Sequence, residues 1–191
     1  DETNMIRLVH AESDGLPGLV VDRFNDVLVL QSLSQSSEFW KDAIKASLSE
    51  LTGIHDLYER SDDDVRGLEG LPPLSRWLTG GADRDGTTIH EDGLAYRVNF
   101  ATGHKTGFYL DLRDIRRELG RYVKDRNVLN CFCYSGSFSI VAGKHEAASV
   151  TSVDSSAAAL ELARENERLN GLSGLDWLEA DVFRFLRDQR D

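Results

Sequence analysis

Two aspartates and one loop of small residues could do chemistry together in this 191-residue sequence. The loop, Cys133-Tyr134-Ser135-Gly136-Ser137-Phe138, follows an apolar run at 128–132 and opens a helical stretch. A small-residue loop at a helix start lets a ligand approach the backbone and offers it free amide groups. Asp154 ends a second apolar run, about 20 residues past the loop, where a carboxylate suits the two hydroxyls of a ribose. Asp181 follows a third run, ahead of Val182 and Phe183. A carboxylate there accepts from an adenine amino group, with apolar side chains against the ring.

These three features point to a nucleoside cofactor. NAD calls for Gly-x-Gly-x-x-Gly, and the loop has Gly136 alone. Without the pyrophosphate glycines, S-adenosylmethionine fits better, having ribose and adenine but no phosphate. Read singly, Asp154 is also a plain helix cap and Gly136 a plain turn; the register of all three carries the reading.

The elements that must position them are strands and helices in alternation. Strands are expected at 128–132, 149–153 and 175–178, and helices at 137–144, 155–169 and 182–188. That order is the signature of a parallel sheet wound with crossover helices, whose ligands bind at the carboxyl ends of the strands. Before it, 111–123 reads as a helix with Leu112, Ile115, Leu119 and Tyr122 on its core face and Arg113, Arg117 and Arg121 striped along another.

The first half reads as a small α+β unit. Strands are expected at 7–10, 19–22, 27–31 and 54–59, with Phe24-Asn25-Asp26 as a hairpin turn. A helix capped by Ser36 or Ser37 would place Trp40, Ile44, Leu48 and Leu51 on one face and stop at Gly53. Asp62-Asp63-Asp64 reads as a solvated turn, since calcium loops space their acids two apart. Residues 67–86 lack periodicity and read as an irregular connector, and 87–100 as a hairpin across Glu91-Asp92-Gly93. The fold class is thus α/β: a small α+β domain over 1–86, then a hairpin and a Rossmann-like domain over 87–191 holding three parallel strands.

Composition bounds the function. Hydrophobic residues make up 40% and charged residues 29%, which fits a globular chain and excludes a disordered one. No apolar run is long enough for a bilayer, and the opening Asp1-Glu2-Thr3-Asn4 lacks the basic and apolar regions of a signal peptide, so a cytoplasmic protein without membrane partners is expected. Cys131 and Cys133 are too close for a disulfide, and no ligand set for a metal accompanies them or the five histidines. The net charge of −11 argues against a general grip on nucleic acid, yet residues 104–126 carry seven Lys/Arg against four Asp/Glu.

The sequence resembles the large-subunit (23S) rRNA cytosine-C5 methyltransferase family, of the class I S-adenosylmethionine-dependent methyltransferases. The match rests on Glu12 to Phe24, Tyr58-Glu59-Arg60-Ser61-Asp62, His104-Lys105-Thr106-Gly107-Phe108-Tyr109-Leu110-Asp111 with Arg113, Val128 to Gly136, Val153-Asp154-Ser155-Ser156 with Asn166 and Asn170-Gly171-Leu172, and Asp181-Val182-Phe183. The resemblance implies S-adenosyl-L-methionine as cofactor and rRNA as partner. It implies that Lys105, Thr106 and Asp111 serve the methionine end, with Arg113 supporting the cofactor pocket, that Phe132, Tyr134, Ser135 and Gly136 line the cofactor, that Asp154 takes the ribose with Ser155 beside it, and that Asp181, Val182 and Phe183 take the adenine.

The resemblance also implies a nucleophilic cysteine and an Asp-Pro-Pro segment beyond the third strand. The three prolines here are Pro17, Pro72 and Pro73. Cys131 reads as a core residue and Cys133 as cofactor-loop packing with partial exposure. No catalytic residue is therefore assigned, and the chain is expected to be a fragment, inactive by itself, that lacks the family's N-terminal RNA-binding module and C-terminal catalytic half. A relative acting on another atom, such as guanine N7, or a non-catalytic cofactor-binding scaffold are the alternatives. A three-stranded sheet with an unpaired edge also raises a homodimer.

Overall fold

A computed structural model describes residues 3–62, 64–81 and 84–190. Asp63, the middle of the acidic run, lies outside the described residues. The chain divides into two compact units, residues 2–90 with 98–110 and residues 91–97 with 111–191.

The first unit is built on a five-stranded sheet, β1 (Met5–His10), β2 (Leu19–Phe24), β3 (Val27–Ser32), β4 (Asp56–Ser61) and β5 (Leu74–Thr79), in that spatial order. All neighbours are antiparallel except β3 and β4, which run parallel. A parallel pair needs a crossover, here α1 (Gln35–Phe39) and α2 (Lys41–Thr52). Leu19, Val21, Leu28, Leu30, Leu48 and Leu57 form the core between sheet and helix.

Three expectations for this unit are corrected. The helix begins earlier: Ser34 caps α1 in a reciprocal capping box with Ser37, and the chain breaks at Trp40 before α2. The helix face is met only in part. Ile44 and Leu48 pack into the core, but Trp40 is 60% and Leu51 83% exposed, while Lys41 takes an inward position beside Glu59. The supposed connector holds the end of α3 (Asp64–Leu68) and all of β5. Pro72-Pro73 before β5 and Gly80-Gly81 after it look like loop residues, yet an edge strand with one neighbour needs little patterning of its own.

A hairpin of β6 (Gly86–Glu91) and β7 (Leu94–Asn99) turns at Asp92-Gly93. The second unit continues through a 3-10 turn at Leu110–Leu112 into α4 (Arg113–Leu119). Then come β8 (Asn127–Cys131), α5 (Ser137–Lys144), β9 (Ser149–Asp154), α6 (Ala157–Leu169), β10 (Asp176–Glu179) and α7 (Val182–Asp188). The strands form a parallel sheet in the order β10-β9-β8, so β8 and β10 are its edges. Val123, Ala142 and Val150 make a buried cluster with Leu119 and Leu175 against them.

Three expectations fail here. On α4 the buried residue is Arg116, while Ile115 and Tyr122 are 57% and 67% exposed. Strand β8 is not buried throughout: Leu129 is 47% exposed and Cys131 is half-buried, because β8 lies at an edge of the three strands. Cys133, read as partly exposed, is the buried cysteine. Among the described residues, no helix is long and apolar enough to cross a membrane.

Candidate functional site

Register brings three loops to one edge of the parallel sheet. Cys131 pairs with Val153, and Asp154 with Glu179, so β8, β9 and β10 end level. The loop after β8 is sharply folded, with Phe132, Tyr134 and Gly136 all at positive φ. Such conformations cost energy for residues other than glycine and persist where surroundings fix them. The fixing contacts are visible. The Cys133 amide donates to the Val153 carbonyl at 3.1 Å, and the Tyr134 amide to Asp154 Oδ2 at 2.8 Å. From below, Asn166 Nδ2 on α6 donates to the Ser135 carbonyl at 2.9 Å.

Gly136 is required twice over. Its φ is +76°, and a Cβ there would sit 2.5 Å from the Trp177 ring and 3.0 Å from Ala163. Trp177 on β10 is itself anchored, its Nε1 donating to Glu167 Oε2 at 2.7 Å.

Asp154 does not cap α6. Ser156 does, accepting from the Ala159 amide. The Asp154 carboxylate ties two loops, taking the Tyr134 amide on Oδ2 and the Ser156 amide on Oδ1 at 2.9 Å. A carboxylate has about four acceptor positions, so half-buried Asp154 keeps capacity for two more donors, the number a ribose diol supplies. Asp181 caps α7, accepting from the Arg184 amide at 2.7 Å, and is exposed. Val182 beside it is buried. Phe183 is 63% exposed and meets Phe132 edge-on, with ring centroids 5.6 Å apart. Ser135 is buried and Ser155 exposed. The edge thus combines a carboxylate tied to two loops, a glycine cradle and an aromatic pair, which suits a nucleoside.

The remaining sequence-derived residues come from other segments of the two units. In the first unit, Lys105 is exposed with φ +53°, its Nζ 4.9 Å from the Tyr109 ring centre. Thr106 is fully buried and donates to Asp22 Oδ2 at 2.5 Å, while Arg7 grips the same carboxylate at 2.7 and 2.9 Å. Its hydroxyl therefore holds the segment in place. In the second unit, Asp111 is exposed in the 3-10 turn, and Arg113 is engaged by Asp92 at 2.6 Å. Arg117 shares Asp92, and Arg121 pairs with Glu118. The arginine stripe is thus largely ion-paired.

Cys133 is a poor nucleophile in this setting. Burial pushes the Cys133 thiol up to about 12, and the nearby Asp154 charge adds to the effect, so it stays protonated at neutral pH.

Sequence reasoning saw Asn166 and Asn170 as motif residues without finding their work. Asn166 is fully buried; besides Ser135 it serves the Arg97 amide at 2.6 Å. Asn170 accepts from the Ala95 amide and donates to its carbonyl. Two asparagines four apart on one helix face were the available signal. Trp177 as the wall over Gly136 had no signal in spacing.

Residues 19–189 match the family of S-adenosylmethionine-dependent methyltransferases. The chain belongs to that family. The S-adenosylmethionine cofactor expected from the loop and its two aspartates is the cofactor of the family. Among curated relatives, "Ribosomal RNA large subunit methyltransferase I" of Shewanella denitrificans is 48% identical over 187 residues, covering 97% of this chain and 47% of its own length. The protein of the same name from Aliivibrio fischeri is 45% identical with the same coverage. The chain therefore spans about half the length of the curated relatives it matches. Among solved structures, one from Streptococcus mutans described as a SAM-dependent methyltransferase superposes with a TM-score of 0.86 at 26% identity, over 98% of this chain and 49% of that one. A methyltransferase structure complexed with SAH gives the same score and identity, over 98% of this chain and 48% of its own.

Proposed function

We propose that this chain forms the cofactor-binding part of an enzyme that methylates large-subunit ribosomal RNA from S-adenosylmethionine. The observation that carries the reading is Asp154, whose carboxylate ties two loops and retains acceptor positions for a ribose diol. The names of the relatives support the RNA substrate.

In this reading Asp154, with Ser155 next to it, takes the ribose, and the folded Phe132–Gly136 loop lines the cofactor over the Gly136 cradle. The adenine meets Asp181, Val182 and the Phe132–Phe183 pair. Lys105, Thr106 and Asp111 serve the methionine end, Thr106 by fixing its segment through Asp22, and Arg113 supports the pocket through Asp92. The bound cofactor supplies the methyl group.

The target atom in this reading is cytosine C5. That carbon becomes nucleophilic only after a thiolate adds to C6, and a base must later remove the C5 proton. Buried, protonated Cys133 is not that thiolate in this reading, which expects the cysteine beyond the third strand of the parallel sheet. The homodimer raised from the sequence forms no part of this reading.

Calorimetry tests the cofactor site. Asp154→Ala should weaken S-adenosylmethionine and its demethylated product by about 1–3 kcal/mol through the lost hydrogen bonds. Unchanged affinity removes Asp154 from the site, and a preference for NAD overturns the reading. Tritium transfer from labelled cofactor to rRNA tests the rest. The 191-residue chain should transfer none to cytosine C5 while a full-length relative does; transfer to guanine N7, which needs no thiolate, would redirect the reading.

A further inference from the structure

A cavity of about 410 Å³ opens in the second unit, within the roughly 300–1,000 Å³ typical of ligand sites. The β6–β7 turn, α4 and the carboxyl end of α5 line it, with Glu91, Asp92, Arg116, Arg117, Lys144 and His145 as its charged and titratable residues. It lies apart from the cofactor loops. Gly136 caps one end of the eight-residue α5 and Lys144 closes the other, roughly 12 Å away at 1.5 Å per residue.

The charges in this cavity do not cancel evenly. Glu91 is fully engaged by the buried Arg116 guanidinium, at 2.6 and 2.8 Å. Asp92 is shared by Arg113 at 2.6 Å and Arg117 at 3.3 Å. Both carboxylates are therefore spent on arginines. Arg117 is only loosely held, 57% exposed, with a 3.8 Å approach to the solvated Asp114 as its other pairing. Lys144 forms no ion pair among the described residues, and it and His145 are exposed. The imidazole lies against Gly120, where a Cβ would come within 2.8 Å of the ring. Lys144 and His145 are thus left uncommitted beside a loosely held Arg117, in a chain of net charge −11.

We infer that this cavity is an anion site for a phosphate group, occupied in function by the RNA backbone. The RNA occupant rests on the substrate proposed above; the anion chemistry rests on the cavity alone. A contact of this kind fixes the position of the RNA and does not read its sequence. Lys144 supplies a point charge, Arg117 the guanidinium donors that its carboxylates leave unused, and His145 a ring nitrogen.

The test uses the full chain and two probes, a large-subunit rRNA transcript and inorganic phosphate. RNA affinity is measured across salt for the wild type, Lys144→Glu, and Lys45→Glu as an equal charge change on α2. Lys144→Glu should weaken RNA binding roughly threefold to tenfold and lower the salt slope by about one, with little change for Lys45→Glu. Phosphate should shift the His145 ring resonances of the wild type saturably, and not those of Lys144→Glu. Equal losses in both variants would show a net-charge effect and overturn the site. Unchanged RNA binding in Lys144→Glu would overturn the RNA occupant and leave the RNA reading standing. If the wild type binds no rRNA, that reading falls and the phosphate titration decides: Lys144-dependent shifts at His145 support the anion site, and flat spectra overturn it.

Discussion

Helices α4 and α6 each withdraw a polar side chain from solvent, but for different reasons. On α6, Asn166 is buried because Arg97 and Ser135 present backbone groups that need a partner, and the apolar face of the same helix, with Leu160 and Ala163, packs inward beside it. On α4, Arg116 is buried because Glu91 waits opposite with both oxygens, while Ile115 faces outward. A neutral amide adds to an apolar face; a buried ion pair can replace one. The difference predicts different fragility. Removing one member of a buried charge pair leaves the other uncompensated, whereas losing an amide orphans weaker dipoles.

Arg116→Ala should therefore have the largest effect, destabilising the chain by about 3–5 kcal/mol with Glu91 left buried and unpaired. Urea denaturation measures it. The double change Arg116→Met with Glu91→Met should recover most of the loss, since a buried pair replaced by apolar residues is often neutral. A double variant as unstable as the single one would show that Arg116 acts by packing, including its position over the Phe138 ring.

The same contrast explains what could be read in advance. The segments around α5, β9, α6 and β10 were expected within two residues of their observed bounds, because apolar periodicity and burial agree there. The three carboxyl-end loops followed from strand order, since level strands put their exits at one edge. On α4 the apolar stripe holds at Leu119, which packs on the Val123 cluster, and fails at Ile115, because hydropathy does not know that a carboxylate waits on another element for Arg116. Similarly, Lys41 turns inward in the first unit to meet Glu59 while Trp40 is exposed, and β5 was hidden between Pro72-Pro73 and Gly80-Gly81. Strand pairs and ion pairs between distant residues leave no local trace, and the wall that Trp177 makes over Gly136 belongs to the same class.

The next effect concerns the amide. Asn166→Leu keeps the bulk but leaves the Arg97 amide and the Ser135 carbonyl without their partner. The expected loss is about 2–3 kcal/mol. Because Ser135 belongs to the loop over Gly136, S-adenosylmethionine affinity should fall as well. A variant that loses stability and binds the cofactor normally would separate Asn166 from the loop and make it a clamp on β7 alone.

A smaller effect is expected at the β6–β7 turn, whose Asp92 pairs with α4. The hydrogen bond from Arg113 holds the Asp92 carboxyl below its ordinary value of 3.8, with Arg117 adding to it against partial burial. A depressed carboxylate stabilises the fold above its ordinary value, and that contribution is lost as pH falls below 3.8 and through the folded value. Both partners are partly solvated, so Asp92→Asn should cost about 0.5–1 kcal/mol at neutral pH. The gap between variant and wild type should close in acid. A gap that persists at low pH would assign the loss to the geometry of the turn and not to the charge.

The smallest effect tests the helix face itself. Ile115 sits in the middle of α4, where apolar spacing alone would put it in the core, yet more than half of its surface is exposed. If burial follows the partner and not the hydropathy pattern, Ile115→Ser removes no core contact. Isoleucine and serine have similar helix propensities, so the substitution carries little backbone cost of its own. The expected change is within 0.5 kcal/mol, as for surface substitutions generally. A buried isoleucine exchanged for a small polar residue would instead lose both its transfer free energy and its packing, several times that amount. Chemical denaturation of the variant distinguishes the two outcomes. A loss above about 2 kcal/mol would return Ile115 to the core, and α4 would then be seated by its apolar stripe and not by the Arg116–Glu91 pair.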